Sequence, residues 1–298
     1  MPLRRLTPYL FVAPTLAFIV LFTLYPATQT LVTSLYQPAR RASGEPTFIG
    51  LQNFVNLFNP SHFIGADFVI IFGNTLIFAL VTVILSVPLA LVFALLLNRK
   101  IQALGLWRFA IFYPALLPML GAASLWAFIF ADSIGVAASI LGFFGLANPN
   151  WLGDPNLALF SVTLVNVWKQ SGYLMIFYLA GLQAIPRDIY EAAAIEGANG
   201  WQQLRFLTLP LLRRTTLFVL VVTFLFAFQT VEHLPALGSG GPGVRSNLIL
   251  YYIYQKIPER LNWGYVNAMT TVLISIVLTF TLLNMAFFER KGVEDERG

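Results

Sequence analysis

The sequence predicts an all-α, polytopic membrane protein with about six transmembrane helices and one helix–turn–helix between two of them. Hydrophobic residues make up 58% of the chain and charged residues 10%, and the mean hydropathy is +0.75. Soluble domains carry roughly 25% charged residues. The apolar residues gather into runs that match the roughly 20 residues needed to cross a bilayer. These observations exclude a water-soluble globular domain.

Six apolar runs are interpreted as the spans of a single transmembrane domain. The first run is longer than the apolar region of a signal peptide, so it is interpreted as a retained span. The third contains Pro114 and Pro118. Neighbouring helices can satisfy the carbonyls that prolines free within a membrane, so a kinked span beside a pathway is expected. A short interfacial helix is predicted within 48–58 from its apolar spacing. The predicted spans cover residues 9–35, 68–97, 109–130, 156–182, 215–234 and 265–288.

Residues 186–212 form the most polar long segment between two spans, and they include good helix formers. A first helix is predicted to begin near Pro186, because proline is well tolerated at a helix start. Gly197 is the residue expected where that helix ends in a left-handed conformation. A second helix is predicted through Trp201 to Phe206, ending before Pro210 because proline disfavours continuation. The segment is therefore a predicted helix–turn–helix.

The distribution of basic residues predicts the orientation in the membrane. With a cytoplasmic N-terminus, twelve of the 18 Lys and Arg residues lie inside and five outside, and Lys169 lies within the fourth span. Cytoplasmic loops carry an excess of Lys and Arg, so both termini and the helix–turn–helix are predicted to be cytoplasmic. Basic residues that flank spans also explain the net charge of +5 without a nucleic-acid partner.

The sequence offers little for catalysis or metal binding. There are no cysteines, which excludes disulfides and thiol chemistry. No phosphate-binding loop motif is present, so the chain is expected to bind no ATP of its own. His62 and His233 have no partners at metal-ligand spacing. No catalytic site, metal or bound cofactor is therefore predicted.

Polar residues within the fourth and fifth spans are the candidate pathway residues. Polar groups are costly in lipid, so they tend to face a bundle interior or a water-filled path. The alternative is a purely structural role, in which the threonine hydroxyls donate to carbonyls of their own helix and the amides form hydrogen bonds to neighbouring helices. Asn166, Gln170 and Tyr173 share one helical face. The full candidate set is Asn166, Lys169, Gln170, Tyr173, Thr223, Ala227, Gln229, Thr230 and Glu232.

Lys169 and Glu232 suggest a further hypothesis, in which the two charges neutralise each other beside the pathway. An unpaired charge within the membrane would be costly. The alternatives are that Lys169 faces a wet cavity alone, or that it pairs with a second subunit.

Seven residues of the helix–turn–helix stand at fixed spacing. Their pattern resembles the E-A-A-x-x-D-G-A loop, followed by L-P, of the membrane subunits of binding-protein-dependent ABC importers. Three positions depart from that family's pattern: Glu196 replaces the usual aspartate, Leu204 stands where phenylalanine is common, and Arg214 stands where a second proline is common. The alternative is an ordinary amphipathic interface helix. The matching residues are Glu191, Ala192, Ala193, Gly197, Ala198, Leu209 and Pro210.

The resemblance implies that this loop docks into a cleft on a separate ATPase subunit. Small residues would allow close approach, and Glu191 would anchor a basic group. ATP and Mg²⁺ would be bound by the ATPase subunits, not by this chain. The implied coupling residues are Glu191, Ala192, Ala193, Glu196, Gly197 and Ala198.

Further segments resemble the carbohydrate permeases of the maltose and glycerol-phosphate type: Ala13–Leu16, Leu237–Gly243 and Leu250–Tyr254. The likeness implies a carbohydrate or polyol substrate, and amides, hydroxyls and aromatic rings suit a sugar. It also implies a prokaryotic inner-membrane location, a second permease subunit (a different homologous chain), two ATPase subunits and an extracytoplasmic solute-binding protein.

A rival interpretation is a secondary transporter driven by an ion gradient. Against it, no obvious internal repeat is present and few acids are available within the spans to carry protons. A membrane-embedded enzyme is a third possibility, but it lacks candidate catalytic groups.

Overall fold

The computed structural model describes residues 3–38, 44–99, 102–132, 134–259 and 263–295. The all-α prediction is confirmed, since the regular elements of the described residues are helices apart from one pair of two-residue strands. The chain divides into two compact units, Met1–Val69 with Tyr252–Thr279, and Ile70–Tyr251 with Phe280–Gly298. The basic residues Arg40, Arg41, Lys100, Arg260 and Arg297, which contributed to the predicted orientation, lie outside the described residues.

The first unit contains the N-terminal helical run and the predicted interfacial helix, which is present as α3 (Gln52–Leu57). The buried amide of Asn53 donates to the carbonyls of Ser34 at 2.7 Å and Tyr36 at 3.1 Å. This fixes α3 against the chain that leaves the first span. The other elements are α1 (Leu3–Ile19), a π turn (Val20–Leu24), α2 (Tyr25–Thr33) and antiparallel strands β1 (Tyr36–Gln37) and β2 (Thr47–Phe48).

Beyond the helices of the first unit, three helices have residues in both units and the others belong to the second unit. The shared helices are α4 (Phe63–Leu97), α13 (Ile249–Lys256) and α14 (Trp263–Asp295). The others are α5 (Leu104–Leu116), α6 (Met119–Ile129), α7 (Val136–Phe143), α8 (Ala158–Gln183), α9 (Arg187–Ile195), α10 (Gly200–Gln203), a π turn (Leu204–Thr208), α11 (Leu209–Leu211) and α12 (Arg213–Gln229).

The third predicted span is broken rather than kinked. Helices α5 and α6 meet at an angle of 102°. Leu117 and Pro118 between them have extended backbone conformations, with ψ of 138° and 137°. Pro118 has no N–H for the carbonyl of Pro114 four residues earlier, so the helix cannot continue through this point. The two prolines that the sequence offered as a kink therefore end one helix before the next begins.

Small residues bring α8 close to its neighbours in the second unit. A Cβ atom at Gly172 would overlap the carbonyl oxygen of Ile111 on α5. Ala90 and Ala94 of α4 are fully buried in the same core as Leu174 and Tyr178 of α8. Lipid is as apolar as a helix surface, so membrane helices associate through close packing of this kind.

Three described helices are long and apolar enough to cross a membrane, and two bent helix pairs raise that number to five. The fourth predicted span is α8, whose 26 residues extend roughly 39 Å. Its polar residues Asn166, Lys169 and Gln170 make it less apolar than the others. The three long helices are Phe11–Thr33, Phe63–Leu97 and Trp263–Asn284, and the bent pairs are Leu104–Leu116 with Met119–Ile129 and Gly200–Leu211 with Arg213–Gln229.

The segment after α12 is tied to α4. The side-chain amide of Asn74 donates to the carbonyl of Val244 at 2.9 Å, and the backbone N–H of Ile249 donates to Thr75 Oγ1 at 2.9 Å. The buried ring of His233 stacks on Phe78 with centroids 5.8 Å apart. These contacts fix the chain on both sides of the glycine-rich turn and position the residue before His233, which is Glu232.

Candidate functional site

A cavity of about 420 Å³ lies among the break between α5 and α6, the middle of α8 and the end of α12. Its volume falls within the roughly 300–1,000 Å³ of small-molecule sites. It belongs wholly to the second unit. The lining residues are Ala115, Met119, Asn166, Lys169, Gln170, Tyr173, Phe226, Gln229, Thr230 and Glu232.

Seven of the nine candidate pathway residues line this cavity, and Thr223 and Ala227 do not. Both are buried, and the Thr223 hydroxyl donates to the carbonyl of Val219 at 2.6 Å. Sequence reasoning missed Ala115, Met119 and Phe226. Pro114 precedes Ala115 and Pro118 precedes Met119. These prolines are the signal from which both residues could have been assigned to the cavity. The seven residues brought together are Asn166, Lys169, Gln170, Tyr173, Gln229, Thr230 and Glu232.

The Lys169 ammonium caps the C-terminal end of α5 through hydrogen bonds. Its Nζ donates to the carbonyls of Pro114 at 3.1 Å, Ala115 at 3.0 Å and Leu117 at 2.6 Å. The last carbonyls of a helix have no intrahelical partners. The partial negative charge at a helix C-terminus also favours a cation. Lys169 on α8 thus provides the hydrogen bonds that the proline break removes from α5.

The predicted ion pair of Lys169 with Glu232 is not formed. Among the described residues, the hydrogen bonds of Lys169 go to backbone carbonyls, and no oxygen of Glu232 lies within ion-pair distance. Both side chains line the same cavity. The direct ion pair is absent because the Lys169 ammonium binds the carbonyls at the end of the broken helix, although the two charges still attract each other across the cavity. Spacing along two spans does not reveal such a partner.

The remaining lining groups are neutral hydrogen-bonding and aromatic groups. Asn166 is buried, and its amide donates to Thr82 Oγ1 at 3.3 Å. The rings of Tyr173 and Phe226 lie 5.9 Å apart across α8 and α12. Gln170 and Gln229 add two more amides. This combination offers donors, acceptors and apolar ring faces to one ligand.

The coupling hairpin, which we define as residues 187–211, begins with α9 immediately after Pro186. Gly197 has φ of +86°, which confirms the predicted left-handed helix end. The N–H of Gly197 donates to the carbonyl of Ala194 at 3.1 Å, and that of Ala198 to Ala193 at 2.9 Å. This pair of bonds is a Schellman motif, which satisfies the last carbonyls of α9.

The second arm of the coupling hairpin starts with a capping box, in which the side chains of Asn199 and Gln202 each accept from the other's backbone N–H. The prediction that this helix ends before Pro210 is wrong, because the helical run continues through Leu211. In the π turn before it, the N–H of Leu209 donates to Leu204, five residues back. A π turn shifts the hydrogen-bond ladder by one residue, so the missing N–H of proline does not end the helix.

The coupling hairpin presents an exposed apolar surface beside its acidic residues. Ile195 is 88% exposed, Trp201 67% and Phe206 65%. Glu191 is exposed too, and its carboxylate has no hydrogen bond or ion pair with another described residue. Inside the hairpin, the Tyr190 and Thr208 hydroxyls lie 3.0 Å apart and join its two arms. A groove of about 350 Å³ between the arms is lined by Ala193, Glu196, Gly197, Ala198, Gln202, Gln203, Phe206 and Leu207.

Apolar helices that carry a polar cavity, and that project a polar hairpin between two of them, define a membrane transport component. Residues 3–291 match the family described as "Binding-protein-dependent transport system inner membrane component". The chain belongs to this family, and it is therefore a membrane protein.

Relatives match along nearly the whole chain. The trehalose/maltose transport system permease protein MalF of Thermococcus litoralis is 31% identical over 277 residues, 92% of this chain and 91% of the relative. The sn-glycerol-3-phosphate transport system permease protein UgpA of Agrobacterium fabrum is 33% identical over 294 residues, 97% and 96% of the two chains. The arabinooligosaccharides transport system permease protein AraP of Bacillus subtilis is 31% identical over 285 residues, 95% and 88% of the two chains.

The fold is also found in a solved structure. A chain of a bacterial ABC transporter that imports the acidic polysaccharide alginate aligns with a TM-score of 0.80 and 22% identity, covering 96% of each chain. The predicted permease fold is therefore confirmed.

Proposed function

We propose that this chain is a permease subunit of an ATP-driven importer and passes a sugar or oligosaccharide through the cavity on α8 and α12. One observation carries the proposal: the coupling hairpin is the direct connection between the two cavity helices. Only residues 184–186 separate α8 from α9, and only Leu212 separates α11 from α12. A movement of the hairpin therefore reaches both cavity walls through short links.

The surface of the coupling hairpin suits a protein partner. Exposed aromatic and aliphatic side chains at Ile195, Trp201 and Phe206 offer apolar area of the kind that anchors interfaces. Glu191 adds a carboxylate for a basic group. We propose ATPase subunits, which bind ATP and Mg²⁺, as the occupants, with the hairpin and both termini in the cytoplasm. Their closure would move the hairpins and shift the spans between two states.

The substrate class and the remaining partners rest on the cavity and on the relatives. Amide, hydroxyl and aromatic groups at Gln170, Tyr173 and Phe226 match the hydroxyls and apolar faces of a sugar ring. The relatives are named for transport of trehalose and maltose, glycerol 3-phosphate and arabino-oligosaccharides. A second permease subunit would complete the path, and a binding protein outside the membrane would deliver the substrate.

Reconstitution tests this function. We expect sugar uptake by proteoliposomes that contain both permeases only when the ATPase subunits, ATP, Mg²⁺ and the binding protein are supplied. Ionophores that abolish ion gradients should leave uptake unchanged. Uptake without the ATPases that ionophores stop would instead establish the ion-driven alternative.

Replacing both Gln170 and Tyr173 with alanine should lower sugar uptake about tenfold, which corresponds to the loss of one or two polar contacts. Both residues line the cavity, so the amount of assembled complex should not change. Tyr113→Ala is the matched control, since Tyr113 is 46% exposed on α5 and does not line the cavity. Normal uptake by the double variant would refute the pathway assignment.

A further inference from the structure

The cavity contains one basic and one acidic side chain, and the two differ in what they can offer a ligand. The Lys169 ammonium has three N–H donors. Three carbonyl oxygens accept from it, those of Pro114, Ala115 and Leu117, at 3.1, 3.0 and 2.6 Å. Lys169 therefore has no donor left for an anionic ligand.

The charge of Lys169 is also offset by its surroundings. Its three acceptors are the last carbonyls of α5, where the helix dipole places roughly half a negative charge. Moving the ammonium toward a ligand would remove this donor from all three carbonyls, of which only that of Pro114 also accepts from a backbone N–H, namely that of Leu117 at 3.3 Å. A buried carbonyl without a partner is costly, so the present arrangement is favoured.

The Glu232 carboxylate is free to act on a ligand. The side chain is exposed and lines the cavity. No described residue donates a hydrogen bond to it or lies within ion-pair distance of it. Its nearest opposite charge is that of Lys169, which attracts it across the cavity but keeps its hydrogen bonds on the carbonyls of α5. The other polar lining side chains, those of Asn166, Gln170, Tyr173, Gln229 and Thr230, are neutral. Of the two charged lining side chains, Glu232 is therefore the one whose hydrogen-bonding atoms remain available to a ligand.

From this contrast we infer that the cavity passes uncharged carbohydrates and rejects those bearing a carboxylate or phosphate. The inference rests on the proposed function, that the cavity is a sugar pathway. It separates this chain from a transporter of an acidic polysaccharide such as alginate, whose fold it shares.

The size of the effect follows from Coulomb's law. A ligand anion inside a cavity of about 420 Å³ cannot lie far from Glu232. At a separation of about 6 Å and an effective dielectric constant of about 40, the repulsion by Glu232 itself, with the Lys169 charge offset by the end of α5, corresponds to roughly tenfold weaker binding. Added salt should reduce this penalty, because the cavity is open to water.

The test measures direct sugar binding to the assembled transporter in nanodiscs, with the binding protein omitted so that its own selectivity does not contribute. The probes are matched pairs of glucose, galactose and mannose trisaccharides and their counterparts oxidised at C6 to uronic acids, with binding followed by saturation-transfer NMR. We expect each neutral member that binds to do so about tenfold more tightly than its acidic counterpart at low salt. Higher salt should narrow the difference.

Glu232→Gln should reduce the difference to about twofold or less without weakening the neutral sugars more than a few fold. Glu259→Gln is the matched control, because Glu259 pairs with Lys256 at 2.9 Å and does not line the cavity. It should keep the tenfold difference. Thermal unfolding midpoints of both variants should equal that of the unmodified complex.

Two results would overturn the inference and leave the proposed function standing. One is an acidic sugar that binds as tightly as its neutral counterpart, and the other is a tenfold preference that persists in Glu232→Gln. If no sugar binds and reconstituted uptake of sugars is also absent, the carbohydrate assignment itself fails, and the inference fails with it.

Discussion

Lys169→Met is expected to lower the thermal unfolding midpoint of the complex by about 5–10 °C, because three carbonyls at the end of α5 lose their hydrogen bonds to the ammonium. Hydrogen bonds to charged groups contribute roughly 1.5–3 kcal/mol each. Partial relaxation of the α5–α6 break reduces the total, so a net loss of about 2–4 kcal/mol is expected. The measurement is thermal unfolding followed by the loss of monodisperse complex in detergent.

The matched control for this change is Lys256→Met. Lys256 lies in α13 and pairs with Glu259, with the two side chains 24% and 47% exposed. Exposed ion pairs contribute roughly 0–1 kcal/mol, so this variant should unfold within about 2 °C of the unmodified protein. Equal midpoints for the two variants would show that Lys169 does not stabilise the break.

Glu191→Gln is expected to lower ATP-dependent uptake by at least about tenfold, since truncating one partner of a charge pair at an interface commonly costs roughly 2–5 kcal/mol. Glu191 is exposed, and its carboxylate forms no hydrogen bond or ion pair with a described residue. The permease itself should therefore fold normally. Uptake in proteoliposomes and co-purification of the ATPase subunits with the permease are the two measurements.

Glu259→Gln makes the same chemical change in the other unit and should preserve both uptake and co-purification. A second comparison uses Ile195→Ser, because Ile195 is 88% exposed on the same helix and should also weaken co-purification. If Glu191→Gln retained full uptake and full co-purification, the carboxylate would have no part in coupling.

Lys169 and Glu191 lie at opposite ends of the connection between the cavity and the coupling hairpin. Lys169 fixes α8 to the end of α5, and α8 leads directly into the coupling hairpin. If α8 is held rigidly, a movement of the coupling hairpin displaces the cavity-lining part of α8 by the same amount. Variants at Lys169 should therefore reduce uptake even at temperatures where the complex remains folded.

Local sequence signals predicted the coupling hairpin well. Pro186 at the helix start and Gly197 at φ +86° act through backbone sterics within a few residues, which a sequence displays directly. The prediction that the second helix ends before Pro210 is wrong because it depends on the hydrogen-bond pattern of the preceding turn. That turn is a π turn, in which the missing N–H of proline is tolerated, and no single residue type predicts a π turn.

The sequence by itself determined the membrane class, the helical fold and seven of the ten residues that line the cavity, because hydropathy and helical periodicity depend on residues close together in the chain. The tertiary structure alone decided the partner of Lys169. Its acceptors lie 52 to 55 residues away, at a helix end created by Pro114 and Pro118. Whether the ammonium binds a carboxylate or a helix terminus depends on the distances and angles between the groups. These distances are set only when α5 and α8 pack together.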